Sequence, residues 1–328
     1  MSSQIRHLGF EAIELRCGQT RAVVVPALGG RIMSLQHDGH EFLFTNPALH
    51  GKLFSFEEHS AGGTLLDWKN YGGDKTWPAP QGWEHDGQWP GPPDPHLDSG
   101  VYDARFGSDG KLVLTSPSDP RTGLQVQRSL WVEESGLQLE LRFLNQSSRQ
   151  VRWAIWNVTQ LSCSSPGPHW LYMASEPGRS PRILFGAESS DFLAQLYDQA
   201  LPGVLGVKYD GHVGKVGTAS PANWLAFCSS GRVLAMHSRF QGDCEYPDGG
   251  CSLECWTESP GAPAPLPLAS PGRLLEAEVL GPLTTLAPGQ SSSLSIQYRM
   301  ARFQSPLTLE NQAQLLSIAG VSRATSKS

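Results

Sequence analysis

The run Ser252-Leu253-Glu254-Cys255-Trp256 sets a carboxylate two residues from an indole inside an apolar stretch. Read as a strand, it turns Glu254 and Trp256 to one face and Cys251, Leu253 and Cys255 to the other. Apolar surroundings disfavour an ionised carboxyl, so a glutamate placed in this way has a raised pKa and suits a proton acceptor working near neutrality. The competing reading is a solvated edge-strand glutamate beside a packing tryptophan. Glu276 and Glu278 make a second carboxylate pair on one face. Their strand runs into Gly281-Pro282, so a rim position competes with a cleft.

A third cluster is the segment Asn70-Tyr-Gly-Gly-Asp74-Lys75-Thr-Trp77-Pro-Ala-Pro-Gln81. Gly72 and Gly73 permit a turn at positive φ, Pro78 and Pro80 stiffen the far end of the segment, and Trp77 offers a flat aromatic platform. Asp74 and Lys75 either touch a ligand, with Asn70, or brace the loop as an ion pair. Arg31, after Gly29-Gly30, carries a planar donor fork that can grip a hydroxyl or an acidic group. Arg128 alternates with Val126 and Leu130, which leaves it either paired in a cleft or snorkelling.

These residues need a frame, and the chain supplies strands. Glu11–Arg16 and Arg21–Pro26 read as a hairpin through Gly18, and Arg31–Gln36 and Glu41–Phe44 as another through Asp38-Gly39. Residues 46–100 show no periodicity but hold four tryptophans (68, 77, 83 and 89), which reads as long ordered loops covering a site. Alternation resumes at Val101 and continues to Met300, giving about fourteen strands in all. Ser189–Gln199 has helical spacing, residues 258–272 form a Pro-rich surface loop, and a short helix is expected within Leu307–Ile318 before a frayed tail. Strands do not alternate with helices and no repeat of fixed period is present, so an all-β antiparallel sandwich is expected over residues 1–302, with 303–328 as a C-terminal appendage.

Composition agrees. Gly and Pro total 60 of 328 residues, below the low-complexity range yet suited to many turns. Ten tryptophans stand out, because indoles in loop-rich regions stack on the C–H faces of sugars when they are not packing the core. The net charge of −6 and the lack of a basic stripe argue against nucleic acid. No apolar stretch long enough for a membrane span and no leader-like N-terminus is present. The six cysteines fit no zinc spacing, and are expected reduced in a cytoplasmic protein. Phosphate-binding, dinucleotide, zincin and serine-elbow motifs are all absent. Neither a metal nor a cofactor is called for.

The segment Asn70–Gln81 resembles the motif of an uncharacterised bacterial family, DUF4380, placed in the galactose mutarotase-like (aldose 1-epimerase-like) superfamily. Similar to it as well are the stretch from Lys215-Val-Gly217 through Trp224 to Tyr246-Pro-Asp-Gly-Gly-Cys-Ser-Leu-Glu254, the run Glu276-Ala-Glu278-Val-Leu-Gly-Pro-Leu with Leu286-Ala-Pro-Gly289, and the opening Gly29-Gly30-Arg31-Ile32. Together they cover about residues 10–302. The resemblance implies a large antiparallel β-supersandwich that binds a carbohydrate and needs no cofactor. In such mutarotases a glutamate takes the proton of the anomeric hydroxyl while a histidine protonates the ring oxygen.

Glu254 is the match to that base. The strand that carries the histidine in mutarotases reads here Trp153-Ala-Ile-Trp-Asn-Val-Thr-Gln160 and has none. His237 and His85 are the stand-ins, each with a plain structural role as the alternative. Arg31, Asn70, Asp74, Lys75, Trp77, Arg128, Trp256, Glu276 and Glu278 are the substrate-holding candidates. The expected partner is a small sugar or sugar derivative, with no nucleic acid and no membrane. Two functions remain open: an aldose 1-epimerase or related isomerase with Glu254 as base, and a non-catalytic carbohydrate-binding or sugar-sensing module. A polysaccharide lyase or hydrolase is the weakest reading.

Overall fold

The structure is a computed structural model, and it describes residues 1–59, 67–178, 180–185, 201–261 and 271–321. Among these, two large antiparallel sheets dominate. The first runs, in spatial order, Ser2–His7, Phe10–Cys17, Thr20–Val25, Arg31–His37, Asp74–Ala79, Val151–Ser162, Leu274–Leu280, Leu253–Glu258, Gly214–Thr218 and Arg182–Phe185. The second runs Val204–Lys208, Trp170–Ala174, Trp224–Ser229, Arg232–Ser238, Ser291–Arg302, Gly136–Asn145, Leu124–Glu133, Leu112–Thr115 and Asp103–Phe106. The expected all-β antiparallel architecture is therefore present, and one apolar cluster drawing on both sheets fills the space between them.

The two sheets differ in what covers their outer faces, and the sequence pattern reflects it. In Leu124–Glu133 of the second sheet, Leu124, Val126, Arg128 and Leu130 are buried while the residues between them are only partly so. In the first sheet, Asp74–Ala79 and Leu274–Leu280 are buried at every position. Period-2 alternation fades where both faces are covered.

The hairpins through Gly18 and Asp38-Gly39 are formed, with Asp38 at φ 52° and Gly39 at φ 74°, the left-handed pair that a two-residue turn needs. The second is shorter than expected, its return strand spanning only His40–Glu41. The main correction concerns residues 46–100, where loops alone are expected. Asp74–Ala79 is a strand at the heart of the first sheet. Pro78 and the preceding glycines hide it, since proline is rare inside sheets. It is tolerated because the strand pairs along its length with Val151–Ser162 but meets Arg31–His37 only at Ile32. Gly72 and Gly73 enter it at φ 88° and 75°. A Cβ at either would collide with a backbone carbonyl oxygen, of Phe44 or of Ile32.

The strands Trp170–Ala174, Arg182–Phe185, Val204–Lys208 and Gly214–Thr218 also exceed the sequence expectation. The anticipated helix Ser189–Gln199 and most of the Pro-rich loop and tail lie outside the described residues. The C-terminal helix is formed over Gln312–Ile318. None of the described helices is long and apolar enough to cross a membrane.

The layer between the sheets holds a buried polar knot. Asp74 is ion-paired with Arg128 of the second sheet, whose Nη1 also donates to the Asp74 carbonyl at 3.0 Å. Asn157 Nδ2, Thr159 Oγ1 and Tyr298 OH donate to the same carboxylate at 2.8, 2.6 and 2.7 Å. Asp74 therefore does not brace Lys75, as one reading of the motif had it, and Arg128 neither snorkels nor enters a cleft. Burial, with the Asp74 charge beside it, pushes the Tyr298 hydroxyl well above its ordinary pKa and keeps it a donor. Removing one partner of a buried pair strands the other's charge at a cost of about 3–5 kcal/mol. Arg128→Met is expected to lower unfolding stability by about that amount, read as a shift of the urea midpoint. A loss of less than about 1 kcal/mol would show that the knot contributes no more than a surface pair.

Candidate functional site

From Asp74–Ala79 to the Arg182–Phe185 edge of the first sheet, side chains on the face away from the core border a cleft of about 370 Å³, while the N-terminal strands bury that face in an apolar cluster of their own. Alternation decides which they are: Asp74 and Thr76 point inward, Lys75 and Trp77 outward. Strand register then aligns the outward residues in rows. Lys215 lies beside Trp256, Trp256 beside Glu276 and Glu276 beside Gln160. Glu254 lies beside Glu278, and Trp156 beside Trp77. Loops close the sides, with Trp68, Gln81, Trp83 and Pro92 from one direction and Asp248 from the turn Pro247–Gly250. Leu184 and Phe185 come from the strand at the edge of the sheet.

Two lysines hold the carboxylates. Lys215 Nζ lies 2.6 Å from Glu254 and 2.9 Å from Glu278, and sits 4.5 Å over the Trp156 ring. Trp156 Nε1 donates to Glu278 Oε2 at 2.6 Å. Lys75 Nζ donates to Glu276 Oε1 at 3.2 Å, Gln160 Nε2 donates to the same oxygen at 2.6 Å, and the ammonium lies 4.5 Å over Trp77. Burial pushes Glu254 well above the ordinary carboxylate range against the pull of Lys215, with Glu278 and Asp248 adding to the rise. Burial likewise raises Glu278, against Lys215 and helped by Glu276. Lys215 is itself held up: burial would lower it, but the two glutamates outweigh that. One lysine against two buried carboxyls is an uneven match, and a proton on one of them relieves it. Oε1 of Glu254 and of Glu278 has no hydrogen-bond partner among the described residues.

The candidates therefore divide. Trp77, Trp256, Glu276 and Glu278 line the cleft. Lys75 lies behind Glu276, and Glu254 behind Lys215, fully buried rather than in the lining. Asp74 and Arg128 serve the knot between the sheets. Arg31 is not a ligand arm but a brace: it is ion-paired with Asp98, and its Nη1 donates to Gly72 O at 3.0 Å. Asn70 is buried and accepts from Gly72 N at 3.1 Å, holding the turn before the strand. Neither histidine reaches the carboxylates. His237 lies on the second sheet and alternates with Met236, whose sulfur meets Thr159 in the core, so the imidazole faces away from the first sheet. His85 is exposed and lines a separate hollow with Arg149, Arg152 and Glu245.

Residue patterns did not point to Lys215 as a site residue, nor to Trp156 or Asp98. Asp98 Oδ1 accepts from Trp77 Nε1 and Oδ2 from Trp68 Nε1, both at 3.0 Å, so the Arg31–Asp98 pair fixes two walls of the cleft. A signal existed for Lys215, which alternates with Val216 in a short run bounded by glycines. For Asp98, in a loop, there was none. Among the described residues no group of three or more His, Cys, Asp or Glu is arranged to hold a metal ion.

Replacing Lys215 by Met leaves Glu254 and Glu278 without their counter-ion and raises both further above their unfolded value. A raised carboxyl binds its proton more tightly in the folded state, so stability falls as pH climbs from the unfolded pKa toward the folded one. Lys215→Met is expected to lose stability steeply as pH rises above 4.5, the ordinary glutamate figure, in melts where the parent loses less. Parallel curves would show that Lys215 does not neutralise the pair.

Solved structures of the same shape have distant sequences. A galactose mutarotase-like protein from Lactobacillus casei aligns over 88% of this chain and 100% of its own, with TM-score 0.56 and 12% identity. Candidate aldose 1-epimerases from Escherichia coli (88% and 98%, TM-score 0.57, 15% identity) and Klebsiella pneumoniae (97% and 85%, TM-score 0.62, 11% identity) align as well. At such identities the likeness establishes the galactose mutarotase-like fold. No curated protein matches the chain. The sequence profile of the family described as "Domain of unknown function (DUF4380)" matches residues 10–301, and the chain belongs to that family.

Proposed function

We propose that this protein binds a carbohydrate in the tryptophan-walled cleft of the first sheet and acts on its anomeric centre, with Glu278 as the proton acceptor. The observation that carries this reading is the convergence of Glu276 and Glu278 with Trp77, Trp156 and Trp256 on one face of adjacent strands. Indoles supply flat apolar floors for sugar C–H faces, and carboxylates supply strong acceptors for hydroxyls. The cleft volume of about 370 Å³ is within the range of small-ligand sites.

In anomer exchange the hydroxyl proton leaves, the ring C–O bond breaks, and the ring oxygen takes up a proton; reclosure from the other face gives the second anomer. Glu278 lines the cleft and has a raised pKa, the two properties a base needs near neutrality. Glu254, the base expected from the resemblance, supports it from behind Lys215. The ring oxygen takes its proton from water, since no histidine is in the described lining and Glu254, the carboxyl that shares a proton with Glu278, lies buried behind Lys215.

A non-catalytic sugar-binding module is the second reading. It is favoured by the absence of histidine from the described cleft lining and by the lysine or indole already engaging Glu276 and Glu278.

Exchange spectroscopy by NMR on free aldoses separates the two. The parent protein is expected to speed α/β exchange over the buffer rate, and Glu278→Gln to return it to within about tenfold of that rate while sugar binding persists. Binding without any acceleration would leave the module. Because the base must be ionised, activity is expected to be lost as pH falls through a value above 4.5, the ordinary glutamate figure. An acid limb at or below 4.5 would remove Glu278 from the role.

A further inference from the structure

The cleft is more acidic than a neutral sugar requires. Four carboxylates line it, Asp248, Glu258, Glu276 and Glu278, and the one lining cation among the described residues is Lys215. Leaving Glu258 aside and counting the Glu254 and Lys75 side chains directly behind, the described residues set four carboxyl groups against two lysines, an excess of two. This excess is not the solvated charge of a surface. Glu254 and Glu278 are fully buried, Glu258 and Glu276 nearly so. Glu278 Oε1, in the lining itself, has no hydrogen-bond partner among the described residues. A buried acceptor without a donor is costly, and a ligand donor is the natural complement.

The walls favour the same sign. Lys75 and Lys215 already sit over the faces of Trp77 and Trp156, each at 4.5 Å, so indole faces here accept ammonium groups. Among the described residues no cation is seated over Trp83 or Trp256, which also line the cleft. An ammonium group entering between the carboxylates would find acceptors and aromatic faces with little water to compete.

Resting on the carbohydrate reading, we infer that the ligand is an amine-bearing sugar, held by its protonated amine between Glu278 and the neighbouring carboxylates while its ring lies against the tryptophans. A sugar acid or sugar phosphate would meet the excess negative charge and be repelled. A neutral sugar would leave the Glu278 oxygen with a hydroxyl donor only, a weaker partner than an ammonium.

Calorimetric titration at about pH 7, where a hexosamine amine is largely protonated, tests this with glucosamine and galactosamine, their N-acetyl forms, the parent hexoses, galacturonate and tetramethylammonium. The hexosamines are expected to bind about tenfold or more tightly than the hexoses and the acetylated forms, with galacturonate weakest. Glu278→Gln should erase most of that advantage without abolishing hexose binding. Asp248→Asn, on the adjacent part of the lining, should reduce it and serves as the second variant if the first fails to fold. Equal binding of hexose and hexosamine would overturn the inference and leave the carbohydrate reading standing. Tetramethylammonium binding as tightly as the hexosamines, or no sugar binding at all, would overturn both.

Discussion

Asp74 accepts donors from Arg128, Asn157, Thr159 and Tyr298 in the layer between the sheets, and the next residue leaves the same strand in the opposite direction. Lys75 reaches the cleft side, where it holds Glu276. Because successive side chains on a strand point to opposite faces, anchoring Asp74 inward also sets the register of Lys75 and Trp77 outward. A slip of one residue would exchange them, placing a lysine in the apolar core and an aspartate in an already acidic cleft. The glycines before the strand make the approach possible, since neither position has room for a Cβ.

The cleft is the harder electrostatic problem. Taking a carboxylate out of water costs several kcal/mol even after relaxation, and several are gathered here. Three devices reduce that cost: Lys215 between Glu254 and Glu278, Lys75 with Gln160 on Glu276, and the Trp156 indole on Glu278. They leave charge over, and they leave an acceptor open. A fold selected only for stability would do better with apolar side chains at these positions. Part of the unsatisfied remainder belongs to Glu278, whose side chain borders the cleft.

Much of the architecture was readable beforehand because antiparallel strands with one covered face alternate visibly. Residues 137–145 and 294–300 do so. The reading failed where that condition failed. Asp74–Ala79 contains proline, comes directly after two glycines and is buried on both faces, so it carries neither alternation nor strand composition. Short edge strands such as Arg182–Phe185 hold too few residues to show a period. Of the residues that line the cleft, Glu276, Glu278 and Trp256 could be grouped beforehand because same-face spacing on a strand is a local property, whereas Trp77 stood out only as an indole in what reads as a loop. The two histidines were not matched correctly, because the sheet a strand joins is not written in its own residues.

The sequence alone established the all-β class, the family, and which residues share a face on the strands that alternate visibly. These come from backbone geometry with a period of two and from turn residues that declare themselves by type. Tertiary structure decided which strands became neighbours, and with that which carboxylates met a lysine. Lys215 and Glu278 are separated by 63 positions in the chain, and Arg31 and Asp98 by 67. Pairing of strands distant in sequence depends on the packing of whole sheets rather than on any local preference, so the charge balance of the cleft emerges only when the sheet is assembled.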